Sequence, residues 1–376
     1  MHITNKKNKG GKMKQFIVGP VEMYPSTKNI LEKGYTYFRT QEYGNMAKEC
    51  LSKVAEMMGA EHSATIYLAA SGTGAMDAVV DNCMTKYDKA LVINGGSFGH
   101  RFCELLEWYD VPYDSINLEW DEVVEAKDFE PYENKGYTAL FVNLDETSSG
   151  KLYDINLISD FCKRNNMYLI VDAISTFLAD DYNMEKYGID VTIISSQKGL
   201  CLSPGMSIIS FSQKMVDKIN NEGKPNSYYF AFKPYFRNIE RGQTPFTTTV
   251  SIMYELKDML GLIEKAGGKD AWIKIVQDKA NYFRKRTSEL GLKIPAYPKS
   301  YTLTPILLEG VNANDVVKYL RENYKICVNP CGGELGNKMF RVAHIGNTTI
   351  ADIDELLNKL MSSIKEVREI QLQGVL

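Results

Sequence analysis

Short apolar strands alternate with helical segments along the first half of the chain, and each strand ends in a polar turn. Four largely apolar runs carry this pattern, at residues 65–70, 90–94, 140–144 and 168–171. Helical periodicity follows the third run at residues 155–165. Such alternation predicts a mostly parallel sheet covered by helices, with the polar turns gathered along one edge. We therefore predict an α/β fold.

The length of the chain suits two domains. With 376 residues it is long for a single domain and has ample apolar content for a large core. We predict a large domain over residues 14–268, followed by a crossover helix and a smaller C-terminal α/β domain over residues 269–376. Residues 1–13 are rich in Lys, Gly and Asn, and we expect them to form a disordered leader that is not a secretory signal.

Charge and cysteine content argue against several classes of function. The net charge of −3 provides no basic excess that would attract nucleic acid or a membrane surface. No apolar run reaches the roughly 18 residues that a membrane span requires. The seven cysteines have neither paired spacing nor clustered histidines, so we expect no metal site and no disulfide framework. A reducing, cytoplasmic location fits this pattern best.

One lysine, Lys198, stands at the turning point after the β-branched run 191–194. Gly199 and Pro204 follow it and favour a tight, constrained loop. A lysine at the mouth of a sheet can lose its proton through desolvation and then act as an amine nucleophile. A solvated surface lysine is the ordinary alternative. The turns that follow the other strands favour the nucleophile.

Three other strand ends supply complementary chemistry. Asp172 directly follows an apolar strand, where a buried carboxylate requires a cationic partner. Residues 71–74 join a strand to a helix, a geometry that presents backbone N–H groups to a phosphate. Phe98 follows a further strand and offers a flat face to a planar ligand. Pyridoxal phosphate needs an amine, a carboxylate, an aromatic face and a phosphate site, which is the same set of parts.

These motifs resemble those of the class V, fold-type I pyridoxal-phosphate aminotransferases over nearly the full length of the chain. The segments that carry the resemblance are SGTGAMDAV (71–79), NGGSFGHR (94–101), DETSSG (145–150), VDAIST (171–176), SSQKGL (195–200), TPFTTTVS (244–251) and MFRVAHIG (339–346). Within the class, the chain looks most like the branch that contains alanine–glyoxylate, serine–pyruvate and 2-aminoethylphosphonate–pyruvate transaminases. The resemblance implies a mostly parallel central sheet with helices on both faces and a smaller C-terminal α/β domain.

The resemblance also implies roles for individual residues. Lys198 would bond to the aldehyde of pyridoxal 5'-phosphate and later carry a proton, and Asp172 would pair with the ring nitrogen. The ring would lie between Phe98 and Ile174, and Thr147 would contact the phenolic oxygen or the ring. The residues that would hold the phosphate are Ser71, Gly72, Thr73 and Gln197.

Further residues are matched to substrate and subunit contacts. Arg341 matches the arginine that binds a substrate carboxylate, for which a planar guanidinium is well suited. Thr244 and Thr247 match positions that reach the phosphate in the partner subunit, so the resemblance implies a homodimer with active sites shared across the interface. The cations that could bind a phosphonate donor near the entrance are Arg39, Arg101 and His344.

The predicted function is the ping-pong transfer of an amino group from a small amine donor to a small 2-oxo acid such as pyruvate. The motifs favour 2-aminoethylphosphonate as the donor, and an alanine/serine–glyoxylate or –pyruvate aminotransferase is the alternative. A cysteine desulfurase-like lyase is a more distant alternative, because Phe98 and Gln197 stand where those enzymes have histidine. A non-catalytic module of the same fold is disfavoured, because Lys198 and Asp172 are both present.

Overall fold

The computed structural model describes residues 13–222 and 224–373, so the predicted leader lies outside the described residues except for its last position. The strands are β1 (Lys14–Phe16), β2 (Ala64–Leu68), β3 (Ala90–Asn94), β4 (Tyr113–Asn117), β5 (Ala139–Asn143), β6 (Asp145–Glu146), β7 (Lys151–Leu152), β8 (Tyr168–Asp172), β9 (Val191–Ser195), β10 (Ser207–Phe211), β11 (Leu303–Leu307), β12 (Ile326–Pro330) and β13 (Met339–Ala343). The α-helices are α1 (Pro25–Lys28), α2 (Gln41–Met58), α3 (Gly72–Cys83), α4 (Ser97–Trp108), α5 (Ala126–Phe129), α6 (Ile155–Arg164), α7 (Gln213–Glu222), α8 (Phe232–Phe236), α9 (Val250–Lys265), α10 (Lys269–Glu289), α11 (Ala313–Tyr319) and α12 (Ile350–Leu372). Shorter helical turns lie at Ile30–Lys33, Glu130–Tyr132, Ile239–Arg241, Leu320–Tyr324 and Gly333–Asn337.

A seven-stranded sheet forms the centre of the molecule, in the order β2-β10-β9-β8-β5-β3-β4. The pairings β3–β4, β3–β5, β5–β8 and β8–β9 are parallel, whereas β10 runs antiparallel to both of its neighbours. The register places Asn143 beside Asp172 and Asp172 beside Ile193. The carboxyl ends of β5, β8 and β9 therefore meet at one edge, and the predicted mostly parallel α/β fold is confirmed.

Apolar side chains cover both faces of this sheet. In β8, Leu169 and Val171 belong to one buried cluster, while Ile170 belongs to another. Because successive side chains of a strand point to opposite faces, the two clusters lie on opposite sides of the sheet. Helices α2 and α9 contribute to the first cluster and α3 contributes to the second. The sheet is thus buried on both faces, as the resemblance implied.

A second sheet has the order β1-β12-β13-β11 and packs with α10, α11 and α12 around its own apolar cluster. The β1 strand pairs in parallel with β12, with Lys14 opposite Ile326, and the other pairs in this sheet are antiparallel. The first strand of the chain thus belongs to the C-terminal sheet and not to the central one. The predicted division of the chain at residue 268 stays a prediction.

Three features typical of other classes of protein are absent from the described ranges, 13–222 and 224–373. None of their helices combines the length and apolar character needed to cross a bilayer. Their His, Cys, Asp and Glu side chains form no group arranged to hold a metal ion. All seven cysteines lie in these ranges and are free thiols.

Candidate active site

Lys198 lies in a tight loop that follows β9. The loop is closed by backbone hydrogen bonds from Ser196 N to the Met206 carbonyl and from Leu202 N to the Ser196 carbonyl, both 2.9 Å. The N-terminal segment packs on this loop, where Val21 N donates to the Gln197 carbonyl at 3.2 Å. Gly19 lies so close that a Cβ there would be 2.9 Å from Cδ of the lysine. The N-terminal segment therefore covers the aliphatic part of the Lys198 side chain.

The environment of Lys198 lowers the pKa of its amine to about 8. Desolvation is the largest cause, and the positive charge of Arg341 acts in the same direction. The carboxyl groups of Asp145 and Asp172 oppose this shift by favouring the ammonium form. A substantial fraction of the amine is therefore neutral near pH 8, which is the form that attacks a carbonyl.

The Lys198 side chain lines a cavity of about 190 Å³ at the carboxyl edge of the central sheet. Nine of the predicted site residues line it: Ser71, Gly72, Thr73, Phe98, Thr147, Asp172, Ile174, Gln197 and Lys198. The remaining lining residues are Met76, Arg101, Asp145 and Ser175. Three of these, Met76, Asp145 and Ser175, had no predicted role, although each lies within a segment that carries the family resemblance.

Asp172 ends β8 on the floor of this cavity. Its Oδ1 accepts a hydrogen bond of 2.8 Å from Ile174 N, which fixes the carboxyl group at the strand end. Burial raises the pKa of Asp172 to about 6, although that hydrogen bond and the charge of Lys198 act in the opposite direction. A buried carboxyl group with a raised pKa is suited to pairing with a cationic group brought in by a ligand.

The turn at the N-terminus of α3 lies at the same cavity. Ser71 caps the helix, with its Oγ accepting from Gly74 N at 3.2 Å. Thr73 Oγ1 accepts from Arg101 Nη1 at 3.2 Å, so a guanidinium lies beside the turn. At Gly72 the backbone packs closely, since a Cβ there would lie 2.6 Å from Cδ1 of Ile174. Backbone N–H groups, hydroxyls and a nearby cation together suit a phosphate dianion.

Phe98 lies in the first turn of α4, and the guanidinium of Arg101 lies over its ring with 4.9 Å between Cζ and the ring centroid. The start of α4 is held by Glu146, a buried residue whose carboxylate accepts from Phe98 N at 3.4 Å and Gly99 N at 3.1 Å. Within the DETSSG motif, Glu146 thus fixes the position of the aromatic ring. Its role was not predicted from the sequence.

Arg341 reaches the site from β13 of the second sheet. Its Nη1 donates to the Thr147 carbonyl at 2.5 Å and its Nη2 donates to the Pro330 carbonyl. Its Nε is buried and has no hydrogen-bond partner among the described residues. Arg341 is not a lining residue of the cavity, but it lies next to one and its charge acts on Lys198.

The other predicted residues lie outside the cavity of a single chain. The Arg39 guanidinium donates to the Thr244 and Pro245 carbonyls at 2.6 and 3.0 Å. The hydroxyl of Thr244 donates to the Phe246 carbonyl at 2.7 Å, and Thr247 is exposed. His344 is 1% exposed and burial holds the pKa of its imidazole well below the ordinary value, so it is not available to a phosphonate at an entrance.

We expect Gly199→Ala to destabilise the protein by about 1–3 kcal/mol, because an added Cβ would collide with the carbonyl oxygen of Phe177. Gly261 in α9 is the matched control, since a Cβ there meets nothing within 4 Å. Gly261→Ala is expected to stabilise the protein by about 0.5–1 kcal/mol. Urea unfolding of both variants measures the difference. Equal stabilities would show that the Lys198 loop is not closely packed.

The cavity residues fit pyridoxal phosphate. The amine of Lys198 can bond to its aldehyde, the carboxyl group of Asp172 can pair with its ring nitrogen, and the α3 turn can hold its phosphate. The side chains of Phe98 and Ile174 supply apolar contacts for the ring. When bound, the cofactor supplies a ring that withdraws electrons from the reacting carbon.

Comparison with known proteins identifies the family. The model of the family described as "Aminotransferase class-V" matches residues 24–356. An uncharacterized aminotransferase of Methanocaldococcus jannaschii is 28% identical over 367 residues, covering 93% of this chain and 94% of the relative. L-aspartate–glyoxylate aminotransferase of Paracoccus denitrificans is 25% identical over 347 residues, covering 89% and 87%. The crystal structure of alanine–glyoxylate aminotransferase from Nostoc sp. has the same fold, with a TM-score of 0.89, 23% identity and coverage of 95% and 97%. The chain therefore belongs to the class V aminotransferases and is a transaminase that uses pyridoxal phosphate.

Proposed function

We propose that this aminotransferase moves an amino group from a small amine donor to a small 2-oxo acid, with Lys198 and Asp172 as its catalytic residues. The observation that carries the proposal is that both side chains line one cavity, where burial moves their pKa values toward each other, to about 8 and about 6. Titratable groups whose environments displace their pKa values in this way are characteristic of acid–base sites.

Each catalytic residue has a distinct task in this proposal. Lys198 would hold the cofactor through its amine and, once free, would move a proton between the donor carbon and the other reacting carbon. Asp172 would keep the ring nitrogen protonated through a charge-assisted hydrogen bond. The α3 turn holds the phosphate, so that the reacting atoms stay in place while Lys198 moves.

Arg341 binds the carboxylate of the oxo acid in this proposal. Two of its N–H groups are used on backbone carbonyls, and this orients the guanidinium while other donors remain. We expect Arg341→Lys to raise the KM for pyruvate about tenfold with a smaller change in kcat, because an ammonium group loses the planar fork. Steady-state kinetics with varied pyruvate test this, and an unchanged KM would contradict the assignment.

We propose 2-aminoethylphosphonate as the first donor to test, with an amino acid donor and glyoxylate as the alternative. Of the three cations predicted for the entrance, Arg101 lines the cavity, and a guanidinium there suits a phosphonate or a second carboxylate. The names of relatives favour the alternative, since one is an L-aspartate–glyoxylate and another a serine–glyoxylate aminotransferase.

The test of the proposed function is the absorbance spectrum of the holoenzyme while candidate donors are added one at a time. The donors are 2-aminoethylphosphonate, alanine, serine and aspartate. A band at roughly 410–430 nm that moves to about 330 nm with one donor would support amino transfer and identify that donor. A band that no donor moves would contradict the transaminase reaction for these substrates. An absence of any band with added cofactor would contradict the assignment of Lys198.

We also propose a homodimer with shared active sites. Thr247 is exposed in its own chain and does not line the cavity of that chain, which supports a contact with the phosphate in a second copy.

The free thiols of the described residues support a reducing, cytoplasmic location for the protein.

Mixed dimers test the sharing of sites. We expect the inactive variants Lys198→Ala and Thr247→Glu, unfolded and refolded together, to recover up to about a quarter of the wild-type activity, because each hybrid rebuilds one intact site. Each variant refolded alone is the control. A mixture without recovered activity, with hybrids present by native mass spectrometry, would contradict shared sites.

A further inference from the structure

Asp145 is a buried carboxyl group with no hydrogen bond to either oxygen. It lies in β6 and lines the cavity together with Lys198 and Thr147. The residue is 3% exposed, and neither Oδ1 nor Oδ2 has a hydrogen-bond partner among residues 13–222 and 224–373. The neighbouring Ser300 hydroxyl donates to Asp180 instead. By contrast, Asp172 in the same cavity is held by a backbone N–H.

The surroundings of Asp145 compensate a negative charge only in part. The titratable and charged groups that face it from the elements around it are Glu146, Tyr153, Asp180, Lys198, Arg284 and Tyr297. Burial is the largest cause that raises the pKa of Asp145 well above its ordinary value, and Asp180 and Glu146 raise it further. The positive charge of Lys198 opposes this rise in the pKa of Asp145. However, the pKa of the Lys198 amine is itself lowered, and the amine interacts with Asp172 as well as with Asp145. Burial of an acid in such surroundings favours its neutral form.

We propose that Asp145 is a neutral carboxylic acid that donates a hydrogen bond to an anionic oxygen of the ligand in this cavity. The oxygen belongs either to the ring of pyridoxal phosphate or to the carboxylate of the amino or oxo acid. Both are acceptors, and a buried O–H group with no protein partner needs one. The proposal rests on the proposed function, because that function brings the anionic oxygen into the cavity.

Two substitutions separate the effect of a hydrogen-bond donor at residue 145 from the effect of its charge. Asp145→Asn removes the ionisable group and keeps an N–H donor at the same place, whereas Asp145→Leu removes both in a side chain of similar size. Asp81 provides a matched control, because it is also a buried carboxylate but both of its oxygens accept hydrogen bonds. It accepts from Asn226 N, Asn226 Nδ2 and Ser227 N, each at 2.9 Å.

The first arm of the experiment uses the apoprotein. Because the pKa of Asp145 is higher in the folded than in the unfolded chain, its contribution to stability decreases as pH rises above about 3.8. We expect D145N to melt a few °C above wild type at pH 8, with a smaller difference at pH 5. D81N is expected to melt below wild type at both pH values. A D145N apoprotein that melts at or below the wild-type temperature at pH 8 would overturn the proposal.

The second arm uses the holoenzyme and identifies the source of the oxygen. If the cofactor ring supplies it, D145L weakens the affinity for pyridoxal phosphate by about 10- to 100-fold and D145N retains most of it. If the substrate supplies it, cofactor affinity is unchanged and D145L raises the KM for the oxo acid by a similar factor. D145L indistinguishable from wild type in both measurements would overturn the proposal. If wild type itself fails to bind the cofactor, the proposed function fails, while the apoprotein arm remains valid.

Discussion

Lys198→Ala is expected to lower kcat by about 1,000-fold or more and to remove the visible absorbance of bound pyridoxal phosphate. The variant lacks the amine that we propose both to bond to the cofactor and to carry a proton between the reacting carbons. The amine is suited to both tasks because desolvation lowers its pKa to about 8. The measurements are the single-turnover rate with the preferred donor and the spectrum of the protein after dialysis with cofactor.

Lys151 provides the control for this prediction. Burial also lowers its pKa to about 8, but its Nζ donates to the Glu119 and Glu122 carbonyls at 2.8 and 2.7 Å. Lys151→Met is therefore expected to lose stability while retaining the cofactor band. A Lys198→Ala variant that keeps the band and turns over at the wild-type rate would show that another residue holds the cofactor.

Asp172→Asn is expected to lower kcat by about 100- to 1,000-fold while leaving the fold intact. The amide oxygen can still accept from Ile174 N, so the local geometry is kept. In its proposed role, Asp172 supplies the charge that keeps the ring nitrogen protonated. The substitution removes that charge, and with it the electron withdrawal that stabilises the developing negative charge. Steady-state turnover and the thermal melting of the apoprotein measure the two effects separately.

The apoprotein of D172N is expected to be at least as stable as wild type at pH 8. Burial raises the pKa of Asp172 to about 6, so its contribution to stability is lost as pH rises from about 3.8 through 6. Asp172→Glu keeps the charge and displaces it, and we expect its kcat to lie between the values for wild type and D172N. A fully active D172N would contradict the proposed pairing with the ring nitrogen.

The architecture was largely predictable because parallel strands buried on both faces form continuous apolar runs, as at residues 140–144 and 168–171. Two strands of the central sheet were missed. The segment Tyr113–Asn117 mixes polar and apolar residues, and Ser207–Phe211 follows a loop whose closure depends on hydrogen bonds across it. The position of Lys14–Phe16 could not be predicted either, since its pairing partner lies near the other end of the chain.

The residues of the cavity were predictable because their motifs follow strands that end at the same edge. Asp145 was missed because DETSSG has the composition of an ordinary polar turn, and the absence of hydrogen bonds to a side chain is visible only in three dimensions. Thr244 and Thr247 were predicted from the resemblance and Arg39 from its charge, and none of the three lines the cavity of one chain. The predicted roles of the two threonines involve a second subunit and stay predictions.

The pairing of β1 with β12 determines which parts of the fold can form first while the chain is being synthesised. The residue that pairs with Lys14 lies about 310 residues later in the chain. Because ribosomes add roughly 5–20 residues per second, β12 is synthesised on the order of 15 to 60 s after β1. All strands of the central sheet are made before that partner emerges. The segment that follows β1 and packs on Lys198 is anchored at its N-terminal end only after β12 is made. A nascent chain that ends between residues 212 and 325 thus contains every strand of the central sheet, while the segment that covers Lys198 is not yet anchored by β12.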